Sequence, residues 1–372
     1  MFAPEQMATL ARITGLAELG PLVRCVAGCG FDPATYFSQN RKLASGGFDT
    51  SSALFHFLTY GYDEERNLTC GPLPEGLAGL RALSIPNAEY ARRLFRRLFF
   101  AQLRHPDSAE RLWRGPDAAL IECLRAMAGI PYFVFGDSHA SHYLRKVWIG
   151  ARWLGAMPIV CHGASAMGLA NPASRSGYGE KILTWARRAA NIAEFDVPIF
   201  LKFGGIDAEF LWMMRRIRND TRQFSIVEFD EFARESTARY GEFLDALAGI
   251  VGAGVLRVCS TFPSVLADAY WTDAFLDAHR GNPADDRRLA DRLQNIEIPP
   301  FKTRTQLRGL YNYYLRDVCR TKGLTFVDDF SPFIEASGGT DPCCYLGNGG
   351  REYHLDYRAI DDALVGIIRT FV

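Results

Sequence analysis

Five short apolar runs constrain the fold of this chain more than any other feature: Tyr132–Phe135, Pro158–Cys161, Val197–Phe203, Val255–Cys259 and Leu324–Val327. Each ends in small or polar residues. Long segments with helical spacing separate them, such as Tyr143, Val147, Ala151 and Leu154, where steps of four and three place apolar side chains on one face. Parallel strands need a crossover between them, usually a helix, and a sheet built that way is covered on both sides. The expectation is therefore a three-layer α/β/α domain around a five-stranded parallel sheet. In such sheets ligands bind beyond the carboxyl ends of the strands. The residues there are Gly136-Asp137-Ser138-His139, His162-Gly163-Ala164-Ser165, Gly204-Gly205-Ile206-Asp207, Ser260-Thr261-Phe262-Pro263 and Asp328-Asp329-Phe330.

The stretches 208–250 and 266–320 exceed a minimal crossover and are rich in charge and helix formers, so they read as helical insertions over the rim of the sheet. Residues 1–115 show helical segments broken by Gly and Pro and no strand series. A boundary is expected between Leu103 and Gly129, giving a helical N-terminal module and an α/β/α domain over residues 130–372. With 372 residues, 48% of them hydrophobic, there is ample material for a core.

Lys plus Arg and Asp plus Glu balance at 42 each, without long blocks of one sign. That argues against nucleic acid or an anionic membrane as partner and favours a small-molecule or glycan substrate. No apolar run is long enough to span a bilayer, and the first residues lack the basic-then-apolar pattern of a leader. Nine cysteines scattered without framework spacing suit reduced thiols. A cytoplasmic protein is the expectation.

A serine on a tight strand-to-helix turn projects its hydroxyl into the site, while the free N–H groups of the next helix face a developing oxyanion. Gly136 gives that turn room and Ser138 is the candidate nucleophile. Acyl transfer also needs a base, and His354, after Gly347-Asn348-Gly349-Gly350, is the candidate. Asp137 reads as a helix cap or a site residue. His139 and His142, three apart, are either packing or substrate contacts. His162 reads as a core histidine or a site residue, and Asp207 as a ligand to a substrate hydroxyl or a cap.

Gly136-Asp137-Ser138 together with His354-Leu355 resembles the first and last blocks of the SGNH/GDSL hydrolase superfamily, over residues 130 to 372. The resemblance implies a flavodoxin-like strand order and no metal or cofactor. It also implies an oxyanion hole from the nucleophile's N–H and Gly163, with Gly205 and Asp207 in the third block. Two departures stand out. The family's oxyanion asparagine falls on Ile206 or Asp207, neither an amide donor, and such a donor is worth on the order of 10²–10³ in rate. The family's orienting aspartate, three residues before the histidine, is Arg351; Asp356, Glu352 and Asp341 are the nearby alternatives.

Gly-Asp-Ser-His-Ala also resembles the first block of SGNH domains linked to carbohydrate O-acylation. Phe31-Asp32-Pro33, Tyr36-Phe37, Asn40, Gly47-Phe48-Asp49, His56-Phe57, Tyr60-Gly61 and Asn67 resemble a helical module found beside bacterial polysaccharide glycosyltransferases. Together they imply a serine esterase or O-acyltransferase for an acetylated saccharide, associated with polysaccharide-biosynthesis enzymes. Two other readings stay open. One is a catalytically impaired glycan-binding or assembly protein. The other is a metal-dependent phosphoesterase built on Asp137-x-His139, for which the later Asn-His and His-x-His ligand sets are missing.

Overall fold

The computed structural model describes residues 2–50, 52–64, 66–73, 76–279, 283–335, 350–351 and 353–372. They form two compact units, Met1–Pro131 with Lys146–Met157, and Tyr132–Arg145 with Pro158–Val372. No helix among the described residues is long and apolar enough to cross a membrane. Seven described cysteines are free thiols, six of them buried; Cys343 and Cys344 lie outside the described residues.

A six-stranded sheet runs through the fold: β1 (Gly129–Gly136), β2 (Trp148–Ile149), β3 (Arg152–Val160), β4 (Ile199–Lys202), β5 (Leu256–Cys259) and β6 (Thr325–Val327). Its order is β2-β3-β1-β4-β5-β6. β1, β4, β5 and β6 pair in parallel. The bonds Trp153 N–H to Ala128 O and Cys161 N–H to Gly136 O set β3 parallel to β1 as well. The five parallel strands thus follow the flavodoxin-like order expected from the sequence.

The sixth strand is a correction. Instead of a helix through Tyr143, Val147, Ala151 and Leu154, the chain makes an antiparallel β2–β3 hairpin with Trp148 opposite Trp153 and Ile149 opposite Arg152. Gly150, at φ +61°, occupies the first of the two loop positions, a conformation that suits glycine in a tight hairpin.

In the first unit the longest helix is α1 (Ala88–Leu103), whose N-terminus is capped by Asn87 accepting from Tyr90 N–H. It buries Tyr90, Leu94, Phe95, Leu98 and Phe99, the i, i+4, i+5, i+8 stripe of an amphipathic helix. Trp153 lodges against Phe95, Phe99 and Phe100, at centroid distances of 6.4, 5.5 and 5.6 Å. Its indole N–H reaches Met127 O at 2.8 Å. The residues of the N-terminal motif act as folding determinants. Asp32 caps the helix Pro33–Gln39 through Ala34 and Thr35 N–H, Phe31 stacks on Phe57, and Asn40 bridges Tyr36 O to the backbone of Asn67.

In the second unit strand alternation divides the aromatic residues between two layers. Phe133 and Phe135 meet Trp185 of α2 (Tyr178–Ala190) at 4.7 and 4.9 Å. α3 (Ile226–Val251) packs beside α2 and against α4 (Phe301–Thr321). On the opposite face Tyr132 and Tyr143 pack on Phe200. The helix Asp361–Phe371 lies on that side, where Phe371 O accepts from Arg257 Nε.

Gly136 closes β1 opposite Lys202 of β4. A Cβ there would overlap Lys202 O and lie 3.1 Å from Ala140 Cβ. Gly136→Ala is expected to cost roughly 1–3 kcal/mol by overpacking, read as a lower urea midpoint at unchanged m.

Candidate active site

β1 delivers Asp137 to the N-cap of a 3₁₀ turn, Ser138–Tyr143. Asp137 is 1% exposed. Its Oδ1 accepts His139 N–H at 2.9 Å and faces His139 Nδ1 at 2.8 Å. Burial acts to raise this carboxyl, but the neighbouring His139 and then Lys202 hold it below the usual range. Asp137 is therefore the buried cap of the turn. Ser138, next in line, is half-buried. Neither its Oγ nor its N–H has a partner among the described residues, so the hydroxyl and a helix-start donor are both free for a ligand.

Tyr143, at the far end of the turn, is anchored from below. Its hydroxyl donates to Asp329 Oδ2 at 2.5 Å, and Asp329 also takes Lys202 Nζ at 2.6 Å and Ser260 Oγ. This fully buried knot ties the ends of β4, β5 and β6 to the segment that carries Ser138. Sequence inspection noted Asp329 at a strand end but missed its partner; a lysine inside the apolar run of β4 was the available signal.

The second and third blocks behave differently from the expectation. Gly163 sits at φ +68°, exposed, with no acceptor for its N–H among the described residues, as an oxyanion donor requires. Asp207 is fully buried. Its carboxylate accepts Ala166 N–H at 2.6 Å, Met167 N–H at 3.1 Å and Ser236 Oγ at 2.9 Å. Burial raises its pKa and those three donors oppose the rise. Asp207 thus corrects the substrate-binding expectation: it anchors the turn that follows Gly163. Gly205 is also buried, and a Cβ on it would stand 3.4 Å from Asp137 Oδ2, so it packs behind the site instead of lining it. His162 is exposed, which overturns a core role.

His354 is half-buried. Its ring centroid lies 5.3 Å from that of His139, 5.8 Å from that of His142 and 4.5 Å from that of Tyr353. Burial first, and the charge of His139 second, push its pKa down to about 4. Its imidazole has no hydrogen-bond partner among the described residues. Asp356 does not orient it, because Asp356 Oδ1 caps its own turn through Arg358 and Ala359 N–H. Glu352 and Asp341 lie outside the described residues. Arg351 is exposed and rests over the Tyr270 ring.

His139 has Nδ1 on Asp137 and Nε2 2.9 Å from Tyr353 O. Both ring nitrogens of His139 therefore point at acceptors within the protein. Among the described residues no three His, Cys, Asp or Glu side chains are grouped to hold a metal ion.

A second buried charge cluster was also missed. Glu209 accepts from Arg304 Nη1 at 2.8 Å, Arg308 Nη2 at 2.9 Å and the Trp271 indole at 2.7 Å. Its partners are about 60 to 100 residues away, beyond the reach of local pattern.

No protein-family model matches the chain, and no curated protein matches it. Among solved structures it is similar to a protein assigned as an acylhydrolase from Bacteroides fragilis, at 12% identity and TM-score 0.33, over 65% of this chain and 88% of that one. An α/β hydrolase enzyme from the Lake Arreo metagenome (12%, TM-score 0.32, 66% and 97%) and the lipase/acylhydrolase from Enterococcus faecalis (12%, 0.32, 64% and 94%) are similar to it in the same degree. At such overlap a likeness bears on neither substrate nor chemistry.

Proposed function

We propose that the chain is a serine-dependent acyl ester hydrolase or O-acyltransferase, with Ser138 as nucleophile and His354 as base. The observation that carries this reading is the unpartnered Ser138, hydroxyl and N–H together, at the carboxyl end of the central strand, with the unpartnered His354 ring held beside the same turn. Ser138 Oγ attacks the ester carbonyl as its proton passes to His354. The tetrahedral oxyanion is met by the N–H groups of Ser138 and Gly163. Collapse breaks the ester C–O bond and His354 returns the proton to the leaving alcohol. Water, or a second hydroxyl in the transferase case, then repeats the sequence on the acyl-enzyme.

An acetylated saccharide is the substrate class proposed, supported by the Gly-Asp-Ser-His-Ala block and the N-terminal motif. Cytoplasmic placement beside polysaccharide-biosynthesis enzymes belongs to the same proposal. The decisive experiment is acetate release from a panel of acetylated glycans, together with fluorophosphonate labelling mapped by peptide mass. Label on Ser138 and acetate release are expected. A folded protein that takes no label favours the impaired glycan-binding alternative, for which the missing amide donor at Ile206 and the lack of a carboxylate on His354 among the described residues speak.

The low pKa of His354 has a visible consequence. A base is active only when neutral, so the acid limb of the labelling rate is expected near pH 4 instead of near 6.5. The same group binds fewer protons folded than unfolded between those values. Stability therefore falls as pH drops through that window. Labelling rates between pH 3.5 and 8, with unfolding monitored in parallel, separate the two effects.

A further inference from the structure

Two histidines from the turn that carries Ser138 hold the carbonyls on either side of His354. His139 Nε2 lies 2.9 Å from Tyr353 O, and His142 Nε2 lies 3.2 Å from Leu355 O. A carbonyl oxygen only accepts, so both Nε2 atoms carry hydrogen. At its other nitrogen His139 faces Asp137 Oδ1, which already accepts the His139 backbone N–H. With a carboxylate on one side and a carbonyl on the other, both ring nitrogens of His139 face acceptors. His142 is the opposite case. Its Nδ1 is buried without a hydrogen-bond partner among the described residues, and burial and the neighbouring His139 hold its imidazole well below the usual range. It is the neutral Nε2–H tautomer.

Residues three apart eclipse on a 3₁₀ turn, which sets the two rings 5.7 Å apart. Phe262 packs against both, at 5.7 and 5.5 Å, and Tyr357 stacks on His142 at 4.4 Å. The charged and titratable groups around His139 include Asp137 in contact, Lys202 of β4 acting on Asp137, Arg308 across Gly205, and the rings of His142, Tyr353 and His354.

We propose that His139 and His142 are positioning residues, a two-point clamp on the carbonyls of Tyr353 and Leu355, the residues on either side of His354, that substitutes for an orienting carboxylate. The proposal rests on Ser138 and His354 acting as nucleophile and base. Holding Tyr353 O fixes the peptide plane that enters His354, and holding Leu355 O fixes the plane one residue beyond it, so the short stretch that carries the imidazole is pinned at both ends. That is the task a carboxylate on the imidazole performs from the far side of the ring. After burial, the neighbouring His139 also acts to lower the pKa of His354.

The test compares His139→Leu and His142→Leu with His139→Gln and His142→Gln, since glutamine offers an N–H to the carbonyl without charge. The maximal fluorophosphonate inactivation rate is expected to fall about 100-fold in the leucine variants, with half-saturating inhibitor concentration little changed, and to recover to within about tenfold in the glutamine variants. The acid limb in His139→Gln is expected to move up from pH 4, which a purely structural role would not produce. ¹⁵N-histidine NMR of wild type and Ser138→Ala reads the clamp without activity: a protonated Nε2 on His139 and on His142. A bare Nε2 on His139 overturns the proposal. So does an equal loss in glutamine and leucine variants with an unmoved acid limb. Should the leucine variants not fold, the glutamine variants and the NMR carry the test. A wild type that takes no label overturns the acyl-transfer reading and the positioning role with it, while the NMR pattern still reports the bonds themselves.

Discussion

Ser138→Ala is expected to lower ester turnover by at least about 10⁴-fold, and the size of the loss is itself informative. In a serine protease stripped one residue at a time, the whole triad is worth about 2 × 10⁶ in rate and its aspartate alone about 3 × 10⁴. A serine and histidine left without any orienting group would therefore contribute only on the order of 10². His354 has no carboxylate partner among the described residues, so a loss near 10² would mean that nothing performs the aspartate's task. A loss of 10⁴ or more requires an orienting group, and among the described residues the bonds from His139 and His142 to Tyr353 O and Leu355 O are the one on view. Stability is expected to stay within about 0.5 kcal/mol of wild type, because Ser138 is half-buried and its hydroxyl holds nothing. Turnover of a chromogenic acetyl ester and urea unfolding, run on the same preparations, give both numbers.

Local pattern carried the reading of the sheet a long way. An apolar run followed by Gly-Asp-Ser marks a strand entering a tight turn, and the five runs recur as the parallel strands in the expected order. The β2–β3 hairpin was hidden because Tyr143, Val147, Ala151 and Leu154 fall at helical spacing by accident of two structures meeting. Tyr143 ends the 3₁₀ turn and Leu154 belongs to β3. Gly150 was the overlooked sign.

Contacts of long sequence separation were beyond reach in principle. Asp207 looked like a rim carboxylate, and only the fold brings Ala166 and Met167 N–H onto it across 41 and 40 residues. The clamp on His354 spans 214 and 213 residues. Nothing within a local window distinguishes a histidine that binds a distant carbonyl from one that faces solvent.

Glu209→Leu is expected to destabilise the protein by about 3–5 kcal/mol, because it leaves two buried guanidiniums without their shared countercharge. Arg304 and Arg308 are each 4% exposed. Arg304 retains Asp268 and the carbonyls of Leu266 and Pro299; Arg308 retains only Phe262 O. A second route gives the same size. Burial acts to raise the Glu209 carboxyl, yet Arg304 and Arg308 overcome it and hold it at about 2, against an ordinary 4.5. That difference corresponds to roughly 3 kcal/mol at neutral pH. The sign fixes a further result. This stability is fully present above pH 4.5 and is lost as pH falls toward 2, so the gap between wild type and Glu209→Leu in urea unfolding should narrow over that range. Glu209→Gln keeps acceptor oxygen without charge and should fall between the two. The damage should also reach the rim of the site. Arg308 Nη1 holds Phe262 O at 2.9 Å, and the Phe262 ring packs on both His139 and His142. Loosening Arg308 therefore loosens the support of the two rings that hold the His354 segment. In whatever fraction of Glu209→Leu remains folded, fluorophosphonate labelling of Ser138 is expected to slow as well.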